Sequence, residues 1–141
     1  MKIKIIAVGK VKEEFIKEGI DEYLKRIPKI DILEIRDLGK KLESQKMIEK
    51  LKKFNGVKIL LDEHGIEMTS LEFSKLIKEN LSKNICFVIG GPEGLDESIF
   101  EFGDLKLSLS KMTLTHEMAR LFLIEQIYRA FTLIEGKKYH R

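Results

Sequence analysis

The chain has 141 residues, of which 43% are hydrophobic and 35% are charged, so it suits one compact domain spanning residues 1–141 and leaves little room for a second. Two prolines, ten glycines and the lack of a low-complexity run argue against long linkers and disordered tails. The formal net charge of +3 is too small to indicate a nucleic-acid partner by itself.

Strand and helix patterns alternate from the start of the chain. Residues 2–9 are rich in Ile and Val and predict a buried first strand. Apolar residues then recur every three to five positions until Pro28, which predicts a helix that stops there. Residues 30–35 alternate apolar and charged side chains and predict a strand near a sheet edge. Residues 42–54 predict an amphipathic helix, closed by Asn55 and Gly56.

The same alternation continues in the second half. Residues 57–61 and 85–89 predict buried strands, and residues 69–81 predict a helix with Thr69 or Ser70 as its N-cap. A short strand that ends at Leu107 precedes a long final helix over about residues 115–135. This order predicts an α/β fold with a mostly parallel sheet covered by helices on both faces.

Ligands of such folds bind beyond the carboxyl ends of the strands. Three loops are therefore candidates for a site, and they follow Leu61, Ile89 and Leu107.

The final helix carries apolar residues in nearly every direction around its axis. A helix of this kind must be buried on several sides, and the sheet of a small domain covers only one of them. We expect the remainder to pack against a second copy of the chain. The alternative is a central helix wholly buried within one protomer.

Cys86 is the only cysteine and lies in an apolar run, so we interpret it as a core side chain. A lone cysteine cannot form an intramolecular disulfide, which suits a reducing compartment. The apolar N-terminal run is too short for a signal peptide, and no stretch approaches the roughly 20 apolar residues that span a bilayer. We therefore expect a cytoplasmic protein.

Positive charge is concentrated in two segments. Residues 36–58 contain eight Lys or Arg against three Asp or Glu, and the last six residues contain Lys137, Lys138 and Arg141 with no acidic side chain. These segments are either a solvated helix face and a frayed terminus or contacts to nucleic acid.

Residues 88–95 read Val-Ile-Gly-Gly-Pro-Glu-Gly-Leu, a strand that runs into a glycine-rich turn. Glycines let the backbone approach a ligand closely, and Pro92 stiffens the turn. Phosphate-binding patterns are absent, and Glu93 would oppose a phosphate, so an adenine nucleoside with a cationic sulfonium fits better. A purely structural turn is the alternative.

Two further segments carry candidate chemistry. In residues 108–117, Thr113 or Thr115 can cap the final helix, and Glu117 is favourable in its first turn because of the helix dipole. The hydroxyl and backbone groups of this segment are also suited to hydrogen bonds with the edge of an adenine, while its apolar side chains pack against the faces of the ring. At the C-terminus, Tyr139, His140 and Arg141 are suited to stacking on a base and pairing with phosphate, although a terminus is often disordered.

These segments together resemble the ribosomal large subunit methyltransferase H family, whose members belong to the SPOUT class. The resemblance rests on residues 87–95, 107–114, 125–131 and 139–141 and extends over essentially the whole chain. It implies an α/β knot with a C-terminal trefoil knot, which composition and periodicity would not have suggested.

The resemblance also implies a function. Family members use S-adenosylmethionine (SAM) to methylate N3 of a pseudouridine in 23S ribosomal RNA of assembled ribosomes, and they act as homodimers. It implies substrate binding or proton transfer by His140, Arg141 and Tyr139. It implies that the cofactor contacts Leu61, Gly90, Leu109, Ser110, Lys111, Met112, Thr113 and Leu114.

Two residues depart from the family pattern, because Thr115 stands where members usually have proline and Glu117 where a residue such as glutamine is common.

Scattered histidines and one cysteine do not form a metal site, and no hydrolase motif is present. The simplest mechanism is direct attack by the pyrimidine N3 on the methyl carbon, in which orientation is the main contribution of the protein. A non-catalytic ribosome- or RNA-binding module is the competing hypothesis.

Overall fold

The computed structural model describes residues 2–139. Within them, five strands form one sheet in the order β2-β1-β4-β3-β5, and every neighbouring pair is parallel. The strands are β1 (Ile3–Val8), β2 (Ile30–Ile35), β3 (Val57–Glu67), β4 (Ile85–Val88) and β5 (Leu105–Ser108). The helices are α1 (Glu14–Leu24), α2 (Lys40–Lys53), α3 (Ser70–Glu79) and α4 (His116–Ile134), with a 3₁₀ helix over Glu97–Phe102. The predicted α/β class is confirmed, while the trefoil knot stays a prediction.

Two apolar layers enclose the sheet because successive side chains of a strand point to opposite faces. On one face α1, α3 and α4 pack over residues such as Ile5 and Phe87, and on the other α2 and the 3₁₀ helix pack over Ile6 and Val88. Cys86 lies in the second layer and is fully buried. Burial raises the pKa of its thiol to about 12, so Cys86 is an unreactive core side chain.

Several predicted boundaries are confirmed. The edge strand β2 has the predicted limits, and Thr69 caps α3 in a reciprocal arrangement with Glu72. The Thr69 hydroxyl accepts the Glu72 N–H, and the Glu72 carboxylate accepts the Thr69 N–H. Of the two caps considered for α4, Thr115 is the one used, and its hydroxyl accepts the Met118 N–H. The 3₁₀ helix was not predicted.

The prediction of a loop directly after Leu61 was wrong. Strand β3 continues to Glu67 because its last residues pair with β5, with Ile66 opposite Leu107, and an irregularity interrupts the register between Leu61 and Ile66. Gly65 lies so close to β5 that a Cβ would stand 2.6 Å from the carbonyl carbon of Lys106. The residues that follow Leu61 are therefore a bulge of the strand, still at its carboxyl end.

Helix α4 is only partly covered. It buries Leu123, Ile124, Ile127 and Phe131 against the sheet and its neighbouring helices, but Phe122 is half-buried and Met118 is 37% exposed. The alternative of a helix wholly buried within one protomer was therefore wrong. No helix in residues 2–139 combines the length and apolar character needed to cross a membrane.

Candidate functional site

A cleft of about 780 Å³ lies at the carboxyl ends of the strands, within the usual size range of small-molecule sites. Three stretches supply most of its wall, namely residues 61–63 of β3, residues 89–95 after β4, and residues 108–117, without Lys111, between β5 and α4. Glu13, Ile16 and Ala119 complete it. The three segments singled out from the sequence therefore meet at one site.

The structure brings together seven of the eight residues expected to contact a cofactor, which are Leu61, Gly90, Leu109, Ser110, Met112, Thr113 and Leu114. Lys111 is exposed and does not line the cleft. The geometry supports a contact from the other seven and gives none from the side chain of Lys111.

The glycine-rich turn owes its shape to the missing side chains. A Cβ at Gly90 would stand 2.6 Å from the carbonyl carbon of Gly94, nearer than real contacts allow. Gly94 has φ +81°, a conformation that glycine adopts without strain, and its N–H donates to the Gly91 carbonyl at 2.9 Å. The backbone of this turn thus forms a bare wall that a ligand can approach closely.

The loop between β5 and α4 is braced from within. The Ser108 hydroxyl donates to the Ser110 carbonyl, and the Ser110 hydroxyl accepts the Met112 N–H, both at 2.9 Å. The Thr113 hydroxyl donates to the Glu63 carboxylate of β3 at 3.4 Å. These three hydroxyls, which the sequence predicted to bind a ligand, therefore form hydrogen bonds that stabilise the loop itself. Apolar side chains of the loop remain available for contact with a ligand, above all Met112, which is 79% exposed.

Glu117 on α4 holds the loop that follows β1. Its carboxylate accepts the N–H groups of Lys12 and Glu13, both at 3.1 Å. Burial by itself would raise the pKa of Glu117, but the hydrogen bonds from Glu13 and Lys12 and the nearby charges of His116 and Arg120 outweigh it, so the pKa lies below its ordinary value. Glu117 is therefore a buried anion that fixes one wall of the cleft.

The loop after β1 was missed in the sequence analysis, although the signal was available. β1 is parallel to the other strands and also ends at this edge, so the rule that selected three loops applies to it as well. This loop supplies Glu13 to the cleft, and Ile16 follows in the first turn of α1.

The cleft is acidic. Glu13, Asp62, Glu63, Glu93 and Glu117 line it, and the lining within residues 2–139 includes no Lys or Arg. Such a wall repels phosphate and favours a cation or a neutral ring. Across the same residues, no group of three or more His, Cys, Asp or Glu is placed to hold a metal ion.

Of the three C-terminal candidates, Tyr139 is described, and His140 and Arg141 lie outside the described residues. The Tyr139 hydroxyl lies 3.3 Å from that of Tyr23, and its ring meets Tyr128 edge-on at 4.7 Å between ring centres. The Arg129 guanidinium lies 5.0 Å from the Tyr139 ring centre. Burial, followed by the hydrogen bond with Tyr23, raises the pKa of Tyr139, so its phenol stays protonated near neutral pH.

This tyrosine cluster does not line the cleft of its own protomer. On α4, Ala119 lines the cleft and Tyr128 contacts Tyr139. At about 1.5 Å per residue, the nine steps from Ala119 to Tyr128 correspond to about 14 Å along the helix. The structure therefore does not bring Tyr139 together with the predicted cofactor residues within one chain.

The sequence was compared with known families and proteins. A family model described as "Predicted SPOUT methyltransferase" matches residues 1–140. A ribosomal RNA large subunit methyltransferase H of Prochlorococcus marinus (strain MIT 9303) is 44% identical over 138 residues, which cover 98% of this chain and 91% of the relative. The protein of the same name from Acetivibrio thermocellus is 38% identical over 160 residues and is covered completely, as is this chain.

Solved structures share the fold at low sequence identity. A probable methylase family protein from Haemophilus influenzae Rd KW20 aligns with a TM-score of 0.61 at 12% identity, over 99% of this chain and 70% of that one. The SpoU methyltransferase AviRb from Streptomyces viridochromogenes aligns with a TM-score of 0.53 at 14% identity, over 96% of this chain and 61% of that one. Lpg2936 from Legionella pneumophila, solved with SAM bound, aligns with a TM-score of 0.50 at 11% identity, over 93% and 66%.

Proposed function

The chain belongs to the SPOUT methyltransferase family, and on that premise we propose that it uses SAM to methylate ribosomal RNA in the cytoplasm. The proposed target is N3 of a pseudouridine in 23S ribosomal RNA of assembled ribosomes. The observation that carries the proposal is the acidic, glycine-walled cleft, which gathers seven of the eight residues expected to contact the cofactor.

The chemistry of the cleft fits SAM. Its five carboxylates complement the positive charges of a sulfonium and an amino group, while Leu61, Leu109, Met112 and Leu114 offer apolar contact to an adenine ring. SAM supplies, when bound, a methyl group activated by attachment to the positively charged sulfur. A nucleotide triphosphate fits poorly, because the same carboxylates would repel its phosphates.

The residues of the cleft contribute mainly by orientation. The Gly90 turn and the loop from Ser108 to Leu114 are held in shape by their own hydrogen bonds. Orientation of two reactants in this manner contributes roughly 7 to 11 kcal/mol to catalysis in general. The mechanism that we propose therefore requires no covalent bond between the protein and either substrate.

We propose that Tyr139, His140 and Arg141 bind the RNA, and that they do so at the cleft of a second copy of the chain. The distance of about 14 Å along α4 supports this arrangement, because Tyr139 docks on Tyr128, away from the cleft of its own protomer. The protonated phenol of Tyr139 suits it to donating a hydrogen bond and to stacking rather than to accepting the proton from the pyrimidine.

A homodimer is also supported by the distribution of exposed apolar side chains. Six of the seven large ones in residues 2–139 lie at the carboxyl ends of the strands or in the helix turns and loops that follow, namely Phe15, Leu42, Ile66, Leu71, Met112 and Met118. Apolar surface gathered around a cleft in this way is typical of an interface. A second copy seated there would cover much of it and close the cleft.

Two measurements test the function. Calorimetry with SAM should show saturable binding to the purified protein, and mass spectrometry of 23S ribosomal RNA from cells that lack the protein should reveal one missing methylpseudouridine. Ribosome binding without any heat from SAM would instead favour the non-catalytic RNA-binding module. An unchanged set of modified nucleotides would contradict the proposed target.

A further inference from the structure

Helix α2 carries a high density of positive charge on its exposed surface, on the sheet face opposite α4. Its six lysines are all exposed, whereas of its two glutamates Glu43 is buried and only Glu49 is exposed. We call this surface the α2 lysine face, formed by Lys40, Lys41, Lys46, Lys50, Lys52 and Lys53. It therefore presents six positive charges against one negative charge in a chain whose net charge is only +3.

None of these lysines forms a close ion pair with a carboxylate of the described residues. Elsewhere on the molecule cations pair with nearby carboxylates, as Arg26 does with Glu22 and Lys75 with Glu79. Among residues 2–139, none of the six ammonium groups lies within 4.0 Å of a carboxylate, and Lys52 instead lies 5.5 Å from the ring centre of Phe102. No close ion pair therefore offsets the mutual repulsion of these lysines.

The helix itself gains nothing from the first two lysines. Cations stabilise the C-terminal turn of a helix, which explains Lys50, Lys52 and Lys53, but they oppose the dipole at the N-terminal turn. Lys40 and Lys41 occupy that turn. The helix dipole therefore explains the lysines of the last turn and does not explain Lys40 and Lys41.

The N-terminal part of α2 lies against the glycine-rich segment that forms one wall of the cleft. The N–H of Asp96, just beyond the glycine-rich turn, donates to the Ser44 hydroxyl at 2.9 Å. The pKa of Asp96 is lowered, first by its hydrogen bonds with Ser98 and then by the charges of Lys40 and Lys41. Since α2 has 14 residues, it extends about 20 Å away from the wall of the cleft.

We propose that the α2 lysine face binds the phosphate backbone of ribosomal RNA that flanks the nucleotide held at the cleft. The inference rests on the proposed function and adds a surface to it. The acidic cleft repels phosphates, so affinity for RNA requires cations elsewhere, and this face is exposed and adjacent. Lysine contacts to phosphate position RNA without reading its sequence.

An acidic protein is the less favoured occupant. Stable protein interfaces depend on buried aromatic or apolar anchors, and the exposed side of α2 offers one large apolar residue, Leu42, among its lysines. Lys46, Lys50, Lys52 and Lys53 follow the first turn of α2 and lie farther than Leu42 from the carboxyl edge of the sheet, so we expect them to stay accessible in the dimer proposed above.

The test replaces three lysines of one helix face in the variant Lys46→Gln/Lys50→Gln/Lys53→Gln. The matched control is Lys75→Gln/Lys78→Gln/Lys83→Gln, which removes the same charge from exposed positions on and after α3. Glutamine and lysine have similar helix propensities, so both variants should fold. Binding to ribosomes from cells that lack the protein, and to protein-free 23S RNA, is measured by co-sedimentation at several salt concentrations. SAM binding is measured by calorimetry.

We expect the α2 variant to bind ribosomes at least about tenfold more weakly than the parent. The salt dependence of its binding should be lower by about two to three ion equivalents, and its heat of SAM binding should be unchanged. The α3 variant should match the parent. Equal ribosome affinities for the two variants would overturn the inference. So would a defect that appears on ribosomes and not on protein-free 23S RNA, since it would indicate an acidic ribosomal protein. A parent protein that binds ribosomes through α2 but never methylates them would contradict the proposed function and leave this surface standing.

Discussion

Glu117 and Arg120 lie one helical turn apart on α4, and both hold the chain that leaves β1. Glu117 accepts two N–H groups of the loop after β1, and the Arg120 guanidinium donates to the carbonyls of Val8 at 3.3 Å and Gly9 at 2.8 Å. Arg120 also pairs with Glu34 of β2 at 2.6 Å, although its own side chain is almost fully buried. The anion of Glu117 therefore binds backbone N–H groups, and the cation of Arg120 binds backbone carbonyls, of the same segment of chain.

Replacement of Arg120 by methionine should destabilise the fold. The carbonyls of Val8 and Gly9 would lose their charged donor in a buried place, which costs about 1–3 kcal/mol of unfolding free energy. Urea unfolding curves of the parent and the variant measure this loss of unfolding free energy. Arg26→Met, which removes an exposed pair with Glu22, is the control and should cost less than about 0.5 kcal/mol. Equal losses in the two variants would show that the buried contacts of Arg120 contribute nothing.

Glu117 should make stability depend on pH in the acid range. Because its pKa in the folded protein lies below the ordinary value of 4.5, the stabilisation is complete above about pH 4.5 and is lost as the pH falls through the lowered pKa. Glu117→Gln keeps an oxygen that accepts from Lys12 and Glu13 but cannot titrate, so its stability should fall less between pH 6 and about pH 3.

The comparison requires unfolding curves of both proteins at each pH. Glu117→Ala serves as the second variant, because it leaves the two N–H groups without their acceptor and should be destabilised at every pH. Identical pH profiles for the parent and Glu117→Gln would contradict the assignment.

Gly90→Ala should abolish SAM binding. The new Cβ would collide with the backbone of Gly94 and Leu95, which has no flexible end to move aside, so the turn must change shape. Gly19→Ala is the control, because its Cβ would meet only the tip of the Leu121 side chain at 3.1 Å. Calorimetry should detect no heat for the first variant and a normal isotherm for the second. Normal SAM binding by Gly90→Ala would exclude this turn from the site.

Deletion of residues 139–141 should cripple methylation while leaving SAM affinity largely intact, since Tyr139 does not line the cleft. Mixed with Gly90→Ala, the truncated protein should recover about one quarter of the parent activity if tails act across a dimer, because half of the dimers would then hold one complete site. Equilibrated mixtures at equal concentrations provide the measurement. No recovery in a mixture that forms mixed dimers would place the tail at its own cleft.

Local chemistry was sufficient to predict much of this protein. The apolar alternation of β2, the caps at Thr69 and Thr115, the core position of Cys86 and the glycine turn at Gly90 each follow from residues within a few positions of one another. Such features depend on hydrogen bonds and dihedral angles that the neighbouring chain supplies. The rule that ligands bind beyond the carboxyl ends of parallel strands then predicts the place of the cleft from the strand pattern alone.

The tertiary structure decided what distant segments supply. β3 extends past Leu61 because it pairs with β5, which lies about forty residues later in the chain. The position of Tyr139 depends on Tyr23, whose hydroxyl lies near its own, and on Tyr128, whose ring packs against its ring. Glu117 resembled an ordinary first-turn carboxylate until its donors proved to be more than one hundred residues away. A sequence pattern states which face of an element is apolar, but the partner of a polar group depends on which elements the fold brings together.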